Sequence, residues 1–250
     1  MIPGRLCIRN WPDTMSKQQL FCFTYAGGNA TFFDSIEKYL TECELVKLEY
    51  SGHGTRHKEP FYQNFDALAD DMFRLLKENY REGGYALFGY SMGTITLAEV
   101  LKRIIAEPNM SDPSYVFLAA HEPHSKAELK DFSSNECDEW VKDRTIRFGA
   151  VPDKLLDNKS FWRMYLPIYR ADYSLIGRYS FEDLSLQTTI PTTIFYSELD
   201  TPRADMELWR RYFVGDCEFF QYDGSHFFIQ KHYKEMAEVI RARIQGRAYK

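Results

Sequence analysis

Three residues of this chain have the types and settings needed for acyl transfer. Ser91 is the centre of Gly89-Tyr90-Ser91-Met92-Gly93, which follows the apolar run Tyr85-Ala86-Leu87-Phe88 and precedes the helical pattern Thr94 to Leu101. A strand that turns this sharply into a helix strains its central residue, and side chains at the flanking glycine positions would collide. The serine hydroxyl is thereby lifted clear of the sheet, beside a helix N-terminus that favours developing negative charge. The same pentapeptide would also serve as a plain turn with a capping serine, so its partners must decide between the two.

A serine nucleophile needs a base, and the base needs a carboxylate to fix its tautomer. Of the six histidines, His226 has the best setting, in Tyr222-Asp223-Gly224-Ser225-His226-Phe227-Phe228, between the last strand pattern and the terminal helix. Loops at the C-terminal ends of parallel strands converge on one sheet edge, where Ser91 also emerges. His53 and His57 lie in a loop after an early strand, His121 and His124 follow the Tyr115 strand, and His232 belongs to the terminal helix. These are expected to be structural or solvent-facing, with His121 and His124 able to border the site. For the acid, Asp200 leaves a strand within Ile194-Phe195-Tyr196-Ser197-Glu198-Leu199-Asp200-Thr201-Pro202, and Glu198, Asp205 and Asp223 are its rivals. The chain order Ser91, Asp200, His226 is that of the α/β-hydrolases. Oxyanion donors are expected at the N–H of Met92 and, from the small-residue loop Thr24-Tyr25-Ala26-Gly27-Gly28-Asn29, at that of Ala26 or Gly27.

These residues require a sheet to position them. Strand patterns run Gln19–Thr24, Leu45–Glu49, Tyr85–Tyr90, Tyr115–Ala119, Thr192–Tyr196 and Glu218–Tyr222, several of them short apolar runs bounded by turn residues. Helical patterns run Phe32–Cys43, Phe65–Tyr80, Ala204–Phe213 and Lys231–Gln245. Such alternation predicts an α/β fold with a mostly parallel central sheet flanked by helices. From about 123 to 189 the chain has helical patterns and no convincing strand, among them Glu136 to Val141, Phe161 to Leu166 and Tyr169 to Ile176. This stretch is expected to be an inserted helical lid within a single domain spanning 1–250.

At 250 residues, 44% of them hydrophobic, the chain can bury a large core in one domain. A net charge of -5, with no dense basic run, argues against a nucleic-acid partner. Met1-Ile2-Pro3-Gly4-Arg5 lacks the pattern of a signal peptide. No stretch reaches the roughly 18 apolar residues of a membrane span, so a cytoplasmic location is expected. Cys7, Cys22, Cys43, Cys137 and Cys217 are scattered singly and are expected to be reduced, with no metal site among them. Nothing fixes the oligomeric state; a monomer is expected.

With these motifs together, the chain resembles the external type II thioesterases of nonribosomal peptide and polyketide synthesis, relatives of the medium-chain thioesterases of fatty acid synthesis. Phe23-Thr24-Tyr25-Ala26-Gly27-Gly28 is similar to the family's F-P-[YHF]-A-G-G loop, and Gly52-His53-Gly54 with Arg56 to its P-G-[RH]-x-x-R loop. Leu166-Pro167-Ile168-Tyr169-Arg170-Ala171-Asp172 resembles the lid motif L-P-x-[LF]-R-[AS]-D, and Asp223 to Phe228 the histidine turn. Thr24 stands where proline is usual, Tyr90 where histidine is, and Ser225 where glycine is common. The resemblance implies hydrolysis of acyl or aminoacyl thioesters from the phosphopantetheine arm of a carrier protein, clearing stalled synthases, with no cofactor of the enzyme's own. A carboxylesterase for free esters and a non-catalytic carrier-binding scaffold are the alternatives.

Overall fold

The computed structural model describes residues 17–124 and 137–246. The N-terminal pentapeptide, Cys7 and Glu136 lie outside the described residues. Six strands form one sheet: β1 (Gln18–Phe23), β2 (Cys43–Lys47), β3 (Tyr85–Tyr90), β4 (Tyr115–Ala119), β5 (Thr192–Tyr196) and β6 (Cys217–Gln221). Their order is β2-β1-β3-β4-β5-β6, and every pairing is parallel. The chain moves outward from β1 to β2 and then crosses to place β3 on the other side of β1. Loops after β1 and β3 therefore diverge from a topological switch point, where crevices of such sheets open.

Alternation within the strands covers both faces of the sheet. Phe21, Phe23, Tyr85, Leu87, Val116 and Leu118 belong to the core on one face, with α2 (Phe65–Asn79) and α3 (Met92–Ala106). Leu20, Cys22, Ala86, Phe88, Phe117 and Ala119 belong to the core on the other, with α1 (Asp34–Glu37) and α7 (Tyr233–Ile244). α2 buries Phe65, Leu68, Ala69, Met72 and Leu76 on one stripe and starts at Asn64, whose side chain accepts the Ala67 N–H. α3 is buried from Met92 to Leu101, as befits the helix that follows the central strand.

Two of the expected helices are shorter than their patterns. Phe32–Cys43 is a 3-10 turn at Ala30–Phe33, then α1, then successive i to i+3 turns through Leu40 and Cys43. The spacing of Phe33, Ile36 and Leu40 delivers the apolar contacts of a helix without needing a continuous one. Ala204–Phe213 likewise divides into α6 (Arg203–Met206) and a 3-10 stretch at Glu207–Arg211. Between β4 and β5 the described residues hold α4 (Asp138–Arg147) and α5 (Lys159–Ile176) and add no strand to the sheet. α5 runs through Pro167, joining two patterns that read as separate in the sequence. No described helix is long and apolar enough to cross a membrane.

Candidate active site

β3 and α3 are joined at Ser91, which has φ 54 and ψ -122, and the glycines beside it are required by close approach. A Cβ on Gly89 would stand 2.4 Å from the Gly93 carbonyl oxygen, and one on Gly93 only 2.0 Å from that of Phe23. The strained backbone is anchored by the Ser91 N–H, which donates to the Ala119 carbonyl at 2.8 Å. Ser91 occupies the N-cap position of α3 without making a capping bond. Its hydroxyl instead faces His226 Nε2 at 2.8 Å.

On the far side of the ring, His226 Nδ1 lies 2.9 and 3.0 Å from the two oxygens of Asp200. A carboxylate only accepts, so Nδ1 carries the proton and Nε2 is left to accept from the Ser91 hydroxyl. All three sequence-predicted triad residues meet in one chain of hydrogen bonds, with Ser91 7% and His226 8% exposed. The rival carboxylates stand elsewhere. Glu198 is exposed and accepts the Arg203 N–H, Asp205 is exposed in α6, and Asp223 is exposed and pairs with His232.

Loop-to-loop bonds that sequence reasoning missed hold this alignment. The Ser197 hydroxyl donates to the Gly224 carbonyl, joining the loop that carries Asp200 to the loop that carries His226. The Tyr90 hydroxyl donates to the His226 carbonyl at 2.7 Å, and burial pushes the phenol's pKa well up, keeping it a donor. Neither contact has a spacing signal, because each joins strand ends distant in sequence.

Ser91 opens into a cavity of about 150 Å³ lined also by Tyr25, Ala26, Glu122, Arg144, Phe148 and Tyr173. Ala120, with φ 59, and His121 also line it. Burial pushes the His121 pKa down to about 4, so its imidazole is neutral near pH 7. It borders the site, and Nδ1 donates to the Glu122 carbonyl at 2.7 Å. His124 donates to the Tyr179 carbonyl at 3.0 Å. The Arg144 guanidinium is stacked among Trp140 and Phe148 of its own segment and Tyr173 of α5, at 5.3, 5.1 and 5.5 Å from their ring centres. Phe148 in turn lies 4.7 Å from the His226 ring, so the connection between β4 and β5 roofs the base.

Of the two expected oxyanion donors, Met92 follows Ser91 in the chain and Ala26 shares its cavity. Met92 opens α3, in the turn where N–H groups lack intrahelical partners. Ala26 lines the cavity, whereas the Gly27 N–H is committed to Asp172 Oδ2 at 2.6 Å. Of the two candidates in that loop, the geometry favours Ala26. Among the described residues no group of three or more His, Cys, Asp and Glu is placed to hold a metal ion.

A serine, an imidazole and a carboxylate linked in this order, at the C-terminal edge of a parallel sheet, define a serine hydrolase of the α/β-hydrolase type. The family model described as "Thioesterase domain" matches residues 18–244, and the chain belongs to that family, whose members hydrolyse thioesters. It is similar to the medium-chain S-acyl fatty acid synthase thioesterase of Rattus norvegicus, 27% identical over 229 residues that cover 90% of this chain and 86% of the relative. It is also similar to the gramicidin S biosynthesis protein GrsT of Aneurinibacillus migulanus, 24% identical, covering 91% of this chain and 89% of GrsT. Among solved structures, ClbQ from the colibactin NRPS/PKS pathway superposes with a TM-score of 0.85 at 23% identity, covering 92% of this chain and 98% of ClbQ.

Proposed function

We infer that this thioesterase hydrolyses short acyl or aminoacyl thioesters carried on the phosphopantetheine arm of a carrier protein, clearing stalled or mis-primed groups from a nonribosomal peptide or polyketide synthase. The observation that carries this reading is the Ser91, His226 and Asp200 chain of hydrogen bonds at the mouth of a small roofed cavity, in a member of the thioesterase family. The biosynthetic name of GrsT supports the assembly-line setting.

Ser91 Oγ attacks the thioester carbonyl as its proton passes to His226 Nε2, and Asp200 stabilises the imidazolium that forms. The oxyanion is held by the N–H groups of Met92 and Ala26. Collapse expels the carrier's thiol, protonated by His226, and leaves an acyl ester on Ser91. Water then gives a proton to His226 Nε2 and its oxygen to the acyl carbon, releasing the acid and restoring the serine. His226 relays each proton, first from Ser91 to the leaving thiol and then from water back to Ser91 Oγ as the acyl ester breaks, and the phosphopantetheine belongs to the partner.

A cavity of about 150 Å³ accommodates one benzene-sized group. That volume suits acyl groups of a few carbons. The test is hydrolysis of short acyl groups loaded on a carrier protein, beside a plain ester of the same acyl length. The carrier-linked substrate should be preferred, with octanoyl a poorer acyl group than acetyl or propionyl. Ester cleavage without carrier-linked turnover would favour a carboxylesterase, and tight carrier binding without any turnover a scaffold.

A further inference from the structure

Two motifs remain unused by the triad, the Gly52-His53-Gly54 loop and Asp172 of α5. The fold brings them together over the Ala26-Gly27 loop. Asp172 is 2% exposed, and its Oδ2 accepts both the Gly27 N–H at 2.6 Å and His53 Nε2–H at 2.9 Å. His53, 1% exposed, donates Nδ1–H to the Ser51 carbonyl at 3.0 Å. Both ring nitrogens face acceptors, so the ring is held as an imidazolium against the Asp172 carboxylate. Burial opposes that charge, but Asp172, the Ser51 carbonyl and Glu49 outweigh it and raise the His53 pKa. Tyr50 and Phe61 pack edge-on around the ring.

The loop that Asp172 grips is a tight turn. The Gly28 N–H donates to the Tyr25 carbonyl at 3.0 Å, and Gly27, third in the turn, has φ 78, the pattern of a type II turn. One helical turn before Asp172, Tyr169 packs where a Gly27 Cβ would lie, 2.0 Å from its ring. α5 is thus seated on the loop by a buried charge pair and by a contact that only glycine permits.

We propose that Asp172, backed by His53, is a positioning residue for the oxyanion hole: it holds the Gly27 N–H away from the cleft and so fixes the turn with the Ala26 N–H aimed at the scissile carbonyl oxygen. A bare carboxylate gripping the oxyanion-hole loop would oppose a developing oxyanion, and the His53 imidazolium, 2.9 Å from Asp172 Oδ2, offsets that field. The lid motif is therefore part of the hydrolytic machinery, although Asp172 touches no reacting atom. This assignment rests on Ser91 being the thioesterase nucleophile, and does not depend on which partner delivers the substrate.

The test uses a short acyl N-acetylcysteamine thioester, which needs no carrier, together with a trifluoromethyl ketone that forms a tetrahedral adduct on Ser91. In Asp172→Ala, kcat/KM and affinity for the ketone should fall together by about 100-fold. Affinity for the product acid should stay within about threefold, and Asp172→Asn, which keeps an acceptor for the Gly27 N–H, should recover most of the loss. Should Asp172→Ala fail to fold, His53→Gln decides the same point, with kcat/KM and ketone affinity falling in parallel by about tenfold at unchanged product affinity. Variants matching wild type, or losing ketone and product affinity equally, would overturn the assignment. Failure of the carrier reading would show instead as wild-type turnover of the small thioester without carrier-linked turnover, leaving these comparisons intact.

Discussion

The Tyr90 hydroxyl donates to the backbone carbonyl of His226 at 2.7 Å, tying the residue before the nucleophile to the residue that accepts its proton. Its ring is near-parallel to that of Phe227 and edge-on to that of His226, so this tyrosine clamps the histidine turn from below. The departure from the histidine usual at this position of type II thioesterases thus has a structural role. Tyr90→Phe keeps the ring and leaves a buried carbonyl without its donor, at a cost of about 1–3 kcal/mol. We expect kcat/KM to fall about tenfold with a melting temperature a few degrees lower, measured by steady-state kinetics and calorimetry.

Chain order and geometry agree on Asp200 as the acid, which makes a sharp contrast with its rival carboxylates. Asp200→Asn should present the wrong tautomer of His226 to Ser91 and lower kcat by about 10³–10⁴-fold. Glu198→Gln and Asp205→Asn, both at exposed positions, should stay within about threefold of wild type. A rate series on one small thioester checks all three, and a collapse confined to Glu198→Gln would move the acid to that residue.

Gly93 packs against backbone, which cannot move aside as a side chain can. A methyl group there would lie 2.0 Å from the Phe23 carbonyl oxygen, forcing β1 and α3 apart. Gly93→Ala should lose more than about 4 kcal/mol or fail to fold, a size that marks a named steric cause. Urea unfolding monitored by circular dichroism measures it.

The His53 and Asp172 pair gives stability a pH dependence of fixed sign. Burial lowers the His53 pKa, but Asp172, the Ser51 carbonyl and Glu49 together raise it more, so folded His53 binds its proton more tightly than the unfolded chain does. The stabilisation is complete below the ordinary histidine value of about 6.5 and is lost as pH rises through the raised folded value. Wild type should therefore lose more of its melting temperature than His53→Gln as pH rises above about 6.5, by a few degrees. A variant that tracks wild type across that range would mean the pair does not titrate as described.

How much of this was legible in the sequence depends on where each signal resides. β1, β3, β4 and β5 announced themselves through short apolar runs, because strands covered on both faces leave little room for polar residues. Ser91, Asp200 and His226 were legible because parallel strands deliver their following loops to one edge. Phe32–Cys43 misled because apolar spacing at Phe33, Ile36 and Leu40 does not distinguish a continuous helix from linked turns. His53 and Asp172 are 119 residues apart, and no periodicity connects them. Arg144 carried half a signal, with Trp140 and Phe148 four residues to either side, but Tyr173 joins the stack only through the packing of α5.

The central claim is that Ser91 takes the acyl group from the thioester. Intact-mass and peptide analysis of enzyme quenched during turnover of a short acyl-loaded carrier protein tests it most directly. We expect one acyl group on the peptide containing Ser91, more persistent in His226→Ala once formed and absent from folded Ser91→Ala, which should also lose turnover by at least about 10⁴-fold. Carrier-linked hydrolysis that survives Ser91→Ala would contradict the account.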